Sequence, residues 1–140
     1  METDEAKAKT RDWFERVWNQ LDRSAVGEMM HDEAEVMGLG PTAVGPSGFL
    51  EVHKRFSAAY GQIHVSIVDL VGERNEVAGH GRFSAVHLAS QTEVDFLFSF
   101  AGEFSDGKLI WVRNVVDYTS LMGQLNLLDP KRFDLIFEAP

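Results

Sequence analysis

The chain has 140 residues, a length that suits one domain with a substantial buried core. Hydrophobic residues make up 44% and charged residues 25% of the chain, a globular composition that excludes intrinsic disorder. The formal charge of −9 argues against nucleic acid and anionic membrane surfaces as partners, and the absence of cysteine excludes disulfides and thiolate metal sites.

The first part of the chain predicts three helices around one strand. From Thr3 to about Leu21, apolar residues recur at steps of three and four with charges between them, which is typical of an amphipathic helix. A short helix over 24–30 and a strand over 35–39 follow, and then the Gly- and Pro-rich segment 40–46 predicts a turn. Ser47 is placed to cap a third helix that keeps helical spacing as far as Gly61.

After Gly61 the apolar period changes from helical spacing to alternation, which predicts strands. The pattern indicates strands at 63–72, 76–88, 93–104 and 109–116, and Asp106-Gly107 suits a hairpin turn. A helix from about Asp117 to Leu125 and an apolar tail after Pro130 follow. Helices followed by an antiparallel meander predict an α+β domain whose sheet packs one face on the helices.

We expect one domain over residues 1–140, with a core at 10–128 and a C-terminal extension at 129–140. The chain opens with acidic residues where a signal peptide carries positive charge, and no apolar run reaches the length of a membrane span. The expectation is therefore a cytoplasmic protein that does not bind membranes.

The segment Asp106-Gly107-Lys108-Leu109-Ile110-Trp111-Val112-Arg113-Asn114-Val115-Val116-Asp117, with Leu121 and Gln124-Leu125 after it, resembles the closing strand and helix of the SnoaL-like polyketide cyclases. These proteins belong to the nuclear-transport-factor-2-like superfamily, together with ketosteroid isomerases and limonene-type epoxide hydrolases. The family pattern ends in Gly where this chain has Asn126, and the order of elements agrees over residues 12–128. The resemblance implies a cone-shaped α+β barrel, in which a curved antiparallel sheet packs on three to four helices around an apolar pocket. It also implies a homodimer formed through the outer face of the sheet.

Two reactions of the superfamily lose their residues in this chain. The resemblance puts Phe14 at the pocket phenol of ketosteroid isomerases, Gly38 at or near their base, and Phe100 near their protonated acid, so we reject that mechanism. Epoxide hydrolases of this fold need an arginine flanked by two aspartates. The nearest counterparts here are Arg82, Ser84 and Asn114, which leave no carboxylate to activate water.

Asp117 is the first candidate for catalysis, because the resemblance implies that SnoaL-like cyclases use an aspartate at this motif position as general acid and base in an aldol closure. A carboxylate in an apolar pocket has a raised pKa, which suits proton transfer near neutral pH. The alternative is that Asp117 only caps the last helix.

Asn114 is the candidate ligand for a substrate carbonyl, provided that Val112, Asn114 and Val116 face inward. The alternative is a strand residue that faces solvent. Strand alternation puts Asn114 and Asp117 on one face only if the strand ends or bulges between them.

His53 interrupts the apolar face of the third helix, where the resemblance implies a second pocket tyrosine in ketosteroid isomerases. We expect it to act as a proton donor or substrate anchor opposite Asp117; the alternative is a core histidine that bonds a neighbouring carbonyl. The other histidines and acidic residues lack metal-ligand spacing, and neither a phosphate loop nor a nucleophile elbow occurs. We therefore expect no metal and no cofactor.

Aromatic and apolar residues from several elements predict the wall of an elongated apolar pocket. They are Phe14, Trp18, Met37, Phe56, Phe83, Phe96, Phe98 and Phe100, with Phe104 on the same strand face. The alternative is a solid core. The tail carries Phe133, Leu135, Ile136 and Phe137, and we expect it to cover the pocket mouth or to pack on the partner subunit.

Together these features predict a cofactor-independent cyclase or isomerase that acts on an apolar carbonyl-containing small molecule by general acid/base catalysis, with polyketide cyclase-like aldol chemistry. Asp117 would be the acid and base, Asn114 the carbonyl ligand and His53 the proton donor or orienting residue. The alternatives are a non-catalytic ligand-binding or dimerisation module of the same fold, and an epoxide or lactone hydrolase.

Overall fold

The computed structural model describes residues 2–139. Its α-helices are α1 (Thr3–Trp13), α2 (Ser24–Met29), α3 (Gly45–Ala59) and α4 (Tyr118–Gln124). Its strands are β1 (Met30–Met37), β2 (Ala43–Val44), β3 (Tyr60–Glu73), β4 (Glu76–His87), β5 (Thr92–Ser105) and β6 (Lys108–Val116). A π-helical turn (Phe14–Asn19) continues α1, and a 3₁₀ segment (Pro130–Phe137) lies near the C-terminus.

The amphipathic pattern at the start of the chain forms the predicted helix. The apolar face of α1 and of the π-helical turn is buried, with its large side chains at Trp13, Phe14, Val17 and Trp18. The π register is marked by a hydrogen bond of 2.9 Å from the Gln20 amide to the Glu15 carbonyl. The helix stops where Leu21 takes a φ of 52°, because a right-handed helix does not continue through a left-handed residue.

The six strands found in residues 2–139 form one curved sheet in the order β2-β1-β6-β5-β4-β3. Strands β3 to β6 pair antiparallel, as predicted. The β5–β6 hairpin turns at Asp106 and Gly107, whose φ values of 50° and 77° fit the type I′ turn favoured by strand twist. The sheet does not close, since β2 and β3 lie at its edges.

One strand pairing differs from the antiparallel prediction, because β1 runs parallel to β6 and makes the sheet mixed. No hairpin joins β1 to β6, so chain connectivity does not force them to be antiparallel. Strand β1 also begins at Met30, earlier than predicted, and its pairing shifts register between Met30 and Glu35. Helix α3 begins at Gly45 rather than after Ser47, since Gly45 turns the chain with a φ of 70° and Pro46 occupies the first helical turn.

Helices α1 and α3 pack on one face of the sheet, which we call the inner face. Along β5, every second residue from Val94 to Phe104 is buried, while the residues between them keep exposed surface. The outer face carries polar groups, including an ion pair between Arg82 and Asp95. The predicted α+β class is therefore confirmed. The helices of residues 2–139 include none with the length and apolar character to cross a membrane.

Candidate functional site

A central cavity lies between the inner face of the sheet and the helices. Its volume is about 60 Å³, counted as the space that the centre of a water molecule can reach. One water molecule needs roughly 10–15 Å³ by that measure, so the cavity is narrow but larger than a packing defect. The side chains and backbone that line it are Thr10, Trp13, Phe14, Trp18, Val36, Leu39, Phe49, Phe56, Val65, Val77, Phe83, Phe96, Phe98, Phe100, Gly102, Phe104, Leu109, Val112, Asn114 and Val116.

Aromatic rings form a large part of the cavity wall. The Phe83 and Phe96 rings stack with centroids 4.8 Å apart, and the Phe14 ring meets the rings of Phe98 and Phe100 at 5.7 and 4.9 Å. Contacts of this kind add stabilisation beyond the area that the rings bury. The wall is therefore apolar, and its rings pack against one another.

Seven of the eight predicted wall residues line the central cavity, the exception being Met37. Its place is taken by Val36 on β1 and by Leu39 just beyond the strand. Successive strand residues face opposite sides of a sheet, so Val36 faces the cavity and Met37, the next residue, faces away from it. The Met37 backbone still takes part in the site, through its carbonyl.

The cavity opens to solvent on one side. Its lining residues are buried except for five that keep partial exposure: Leu39, Phe56, Val112, Asn114 and Val116. These lie on β6, at the end of α3 and in the segment after β1, so the mouth lies between those elements. Tyr118 of α4 closes part of this border, since its hydroxyl donates to the Leu39 carbonyl at 2.7 Å. Burial raises the pKa of Tyr118 above its usual range.

Asn114 lies at this mouth and faces the cavity with Val112 and Val116, which is the orientation that its role as a carbonyl ligand requires. Its Nδ2 donates to the Met37 carbonyl at 3.0 Å. Strand β1 approaches closely because Gly38 follows, where a Cβ would lie 1.8 Å from the Asn114 carbonyl oxygen. A side-chain amide has two donor protons and an acceptor oxygen, so the bond to Met37 leaves hydrogen-bonding capacity for a ligand.

Thr10 is the polar lining residue that sequence reasoning missed. Its hydroxyl donates to the Ala6 carbonyl at 2.8 Å, one helical turn earlier, and the residue is buried. A threonine on the apolar side of an amphipathic helix was the signal that could have identified it. Because its proton is used within the helix, Thr10 offers the cavity little hydrogen-bonding capacity.

Asp117 lies outside the cavity lining and is exposed. It is the N-cap of α4, and its carboxylate accepts a hydrogen bond of 3.0 Å from the Ser120 amide. This is the position expected from the capping alternative. Strand β6 ends at Val116, so Asn114 and Asp117 do not share the inner face.

His53 is buried on α3 and does not line the cavity. Its Nε2 donates to the Val17 carbonyl at 2.7 Å, and its ring packs 5.0 Å from the Trp18 ring. Within residues 2–139, the buried Nδ1 finds no hydrogen-bond partner. Burial lowers the pKa of His53, and the nearby Arg23 charge lowers it further. His53 and Asp117 are therefore not brought together as an acid and base pair.

A family model for the SnoaL-like domain matches residues 10–112, which is most of the chain. The chain belongs to the SnoaL-like family. The matched range covers the helices and strands that build most of the cavity wall. It ends before Asn114 and Asp117, so family membership does not depend on those two residues.

Solved structures of several proteins share the fold of this SnoaL-like protein. AclR, a candidate hydroxylase from Streptomyces galilaeus, has a TM-score of 0.81 and 17% identity, over 91% of this chain and 100% of its own. A candidate SnoaL-like polyketide cyclase from Jannaschia sp. CCS1 has a TM-score of 0.81 and 14% identity, over 91% and 95%. An LEH-like epoxide hydrolase from M. tuberculosis has a TM-score of 0.73 and 17% identity, over 98% of both chains. A sequence search of curated proteins gives no match.

At these identities the likeness shows the fold, and one fold supports many reactions. In this SnoaL-like protein, the cavity lining found within residues 2–139 contains no acidic, basic, histidine or tyrosine side chain. No group of three potential metal ligands occurs in that part of the chain either. Arg82 lies on the outer face in its ion pair with Asp95, away from the cavity. The polar chemistry of the cavity is therefore carried mainly by Asn114.

Proposed function

We propose that this SnoaL-like protein binds an apolar small molecule that carries a carbonyl group, with the apolar body in the central cavity and the carbonyl oxygen at Asn114. The observation that carries the proposal is the Asn114 amide, which lies at the mouth of a cavity lined by phenylalanine. Apolar surface that leaves water supplies affinity of about 25 cal/mol per Å². The amide supplies orientation, since a carbonyl buried without a donor is unfavourable.

The charge of the chain also bears on the ligand. With a formal charge of −9, the protein repels anions from its surroundings. As far as residues 2–139 build it, the cavity wall offers no cation to pair with a carboxylate or phosphate. A neutral ketone or ester therefore suits the site better than an anionic compound.

The test uses two ligands that differ in one oxygen, 2-acetylnaphthalene and 2-ethylnaphthalene. Dissociation constants are measured for the wild-type chain and for Asn114→Leu, which keeps the side-chain size and removes the amide. We expect the variant to bind the ketone about fivefold to tenfold more weakly, because one hydrogen bond contributes about 1 kcal/mol. Binding of the hydrocarbon serves as the control for any distortion of the cavity and should be unchanged.

Equal losses for both ligands would show that Asn114 maintains the cavity without recognising the carbonyl. If neither ligand binds the wild-type chain at concentrations up to their solubility, the binding proposal is wrong.

The second candidate function is cyclisation or isomerisation of the same ligand by general acid/base catalysis. It is supported by family membership and by the position of Asp117, which directly follows the lining residue Val116. In this mechanism the Asp117 carboxylate takes a proton from an activated carbon and returns one to a carbonyl, with Asn114 bound to the oxygen. His53, which packs against the Trp18 ring, would hold that wall residue in its orientation toward the ligand.

Asp117→Asn separates catalysis from capping, because asparagine caps helices about as well as aspartate but does not transfer protons. We expect the variant to keep its melting temperature and to lose turnover of a 1,5-diketone that closes by intramolecular aldol reaction. Asp129→Asn is the matched control, since Asp129 caps the 3₁₀ segment through the Lys131 amide. Full turnover in Asp117→Asn would assign Asp117 to capping alone.

A further inference from the structure

Glycines on β4 face phenylalanines on β5 along the inner face of the sheet. Gly81 lies directly opposite Phe98, and Gly79 lies opposite Phe100. One step further along, Phe83 lies opposite Phe96 and the two rings stack. Beneath the cavity, the facing pairs on β4 and β5 therefore change from two phenylalanines to one glycine and one phenylalanine.

The phenylalanine rings lie across the glycines. A Cβ at Gly81 would lie 2.3 Å from Phe98 Cζ and 2.6 Å from its Cε1, far closer than any side-chain contact allows. Phe98 and Phe100 line the central cavity, whereas Gly79 and Gly81 do not. The rings therefore lie between the glycines and the cavity and form its floor.

We infer that Gly81, by letting the Phe98 ring lie over its Cα, sets the depth of the central cavity and so the size of the apolar ligand that it admits. This inference rests on the proposed function, because it concerns the same cavity. It identifies Gly81 as a specificity-determining position that contacts the ligand only through Phe98.

A methyl group at position 81 leaves the Phe98 ring one direction in which to move. Along β5 the ring is flanked by Phe96 and Phe100, two residues away on the same face. On β6 its cross-strand partner is Val116, which lines the cavity beside it. We therefore expect the ring to rise into the cavity toward the Phe14 ring, whose centroid lies 5.7 Å from its own, and the cavity to become shallower.

Gly79 offers a less specific test of the same idea. A Cβ there would meet Phe100 Cζ at 2.9 Å, but it would also lie 2.2 Å from the Asp69 backbone oxygen on β3. Substitution at Gly79 would disturb strand pairing, whereas at Gly81 the three nearest atoms all belong to the Phe98 ring.

The experiment compares a one-ring ligand, toluene, with a two-ring ligand, 2-ethylnaphthalene. We expect Gly81→Ala to weaken the binding of 2-ethylnaphthalene about tenfold or more and the binding of toluene by less than about threefold. The reason is that a shallower cavity excludes the larger ligand first. Adding Phe98→Leu to Gly81→Ala should restore the affinity for 2-ethylnaphthalene. Gly27→Ala is the matched control, because Gly27 is exposed and a Cβ there meets nothing within 4 Å.

An equal loss of affinity for both ligands, or no loss of affinity for either, would overturn the inference. If Gly81→Ala does not fold, Phe98→Ala in the wild-type background gives the converse test. That variant should bind 2-ethylnaphthalene more tightly relative to toluene, and an unchanged ratio would contradict the inference.

If the wild-type chain binds neither ligand, the proposed function fails, and the cavity floor is then tested by nuclear Overhauser contacts alone. In the wild type we expect contacts between the Phe98 ring protons and the Gly81 α protons. In Gly81→Ala the ring should instead move closer to Phe14, and a ring that keeps its position would overturn the inference.

Discussion

His53 shows how one buried side chain connects helix geometry to the cavity wall. In the π-helical turn the Val17 carbonyl accepts a hydrogen bond from the His53 ring, which lies against Trp18. Because a carbonyl only accepts, Nε2 carries the proton, and Nδ1 remains as a buried acceptor. The neutral imidazole therefore fits this environment, and the imidazolium does not.

Acid should destabilise the protein through His53. Burial lowers the pKa of His53 in the folded chain below its ordinary value of about 6.5, so the unfolded chain binds the proton more readily. The contribution to stability is complete above about pH 6.5 and is lost as the pH falls below that value. We expect the free energy of unfolding, measured with urea, to fall between about pH 7 and pH 5.

His53→Gln removes this titration while keeping an amide that can donate to Val17. The acid-dependent loss of stability should shrink in this variant, whereas it should persist in His64→Gln, which changes an exposed histidine. Identical pH profiles for wild type and His53→Gln would contradict the assignment.

Among the elements, α4 is held beside the sheet by side chains at its two ends. Asp117 caps the helix, and the Gln124 side chain bonds both the amide and the carbonyl of Asp95, at 2.9 and 2.7 Å. The Gln124 amide thus pairs with β5 as a neighbouring strand would. These contacts give Asp117 and Gln124 a structural role in holding α4 beside the cavity mouth.

Gln124→Ala should release the end of α4 from β5. Loss of the two exposed hydrogen bonds to Asp95 and of a third to the Ser120 hydroxyl is expected to lower the free energy of unfolding by about 1–2 kcal/mol. Amide hydrogen exchange should also quicken in α4 more than in β4. Gln91→Ala is the control, because Gln91 makes one exposed side-chain bond within a turn. Unchanged exchange in α4 would show that Gln124 does not fasten it.

The sequence predicted the elements well where the apolar period was long and regular. Alternation along β5 gave the inward positions of Phe96, Phe98 and Phe100, and alternation along β6 gave that of Asn114. The prediction was one residue off at Met37, because the buried residues of β1 next to it are Ala34 and Val36, so alternation turns Val36 inward and Met37 away. The burial of His53 and the floor at Gly81 depend on contacts between elements distant in sequence, which no local pattern encodes.

At the scale of the whole molecule, the C-terminal segment Pro130–Phe137 stands apart from the core. None of its side chains is buried, and Ile136 and Phe137 are 75% and 80% exposed. A cluster of exposed apolar side chains on a small protein marks an interaction surface. Our prediction that this segment covers the cavity mouth or packs on a partner subunit therefore remains open to test.

Truncation after Asp129 tests this prediction. Because the segment buries no side chain within its own chain, the stability of an isolated protomer should change little. In contrast, the dissociation constant of the ligand or that of the dimer should rise severalfold. Sedimentation measures the assembly, and titration with 2-acetylnaphthalene measures the ligand. Full-length Ile136→Ser with Phe137→Ser should reproduce the effect. Unchanged oligomeric state, stability and ligand binding would dismiss the prediction.

We propose above that an apolar ligand occupies the space between the phenylalanine-rich sheet face and the helices. An NMR spectrum of the chain with 2-acetylnaphthalene shows where the ligand lies. We expect Overhauser contacts from the ligand rings to Phe96, Phe98 and Phe100, with a shift of the Asn114 side-chain amide. Contacts confined to exposed residues such as Ile136, with the Asn114 amide unmoved, would contradict it.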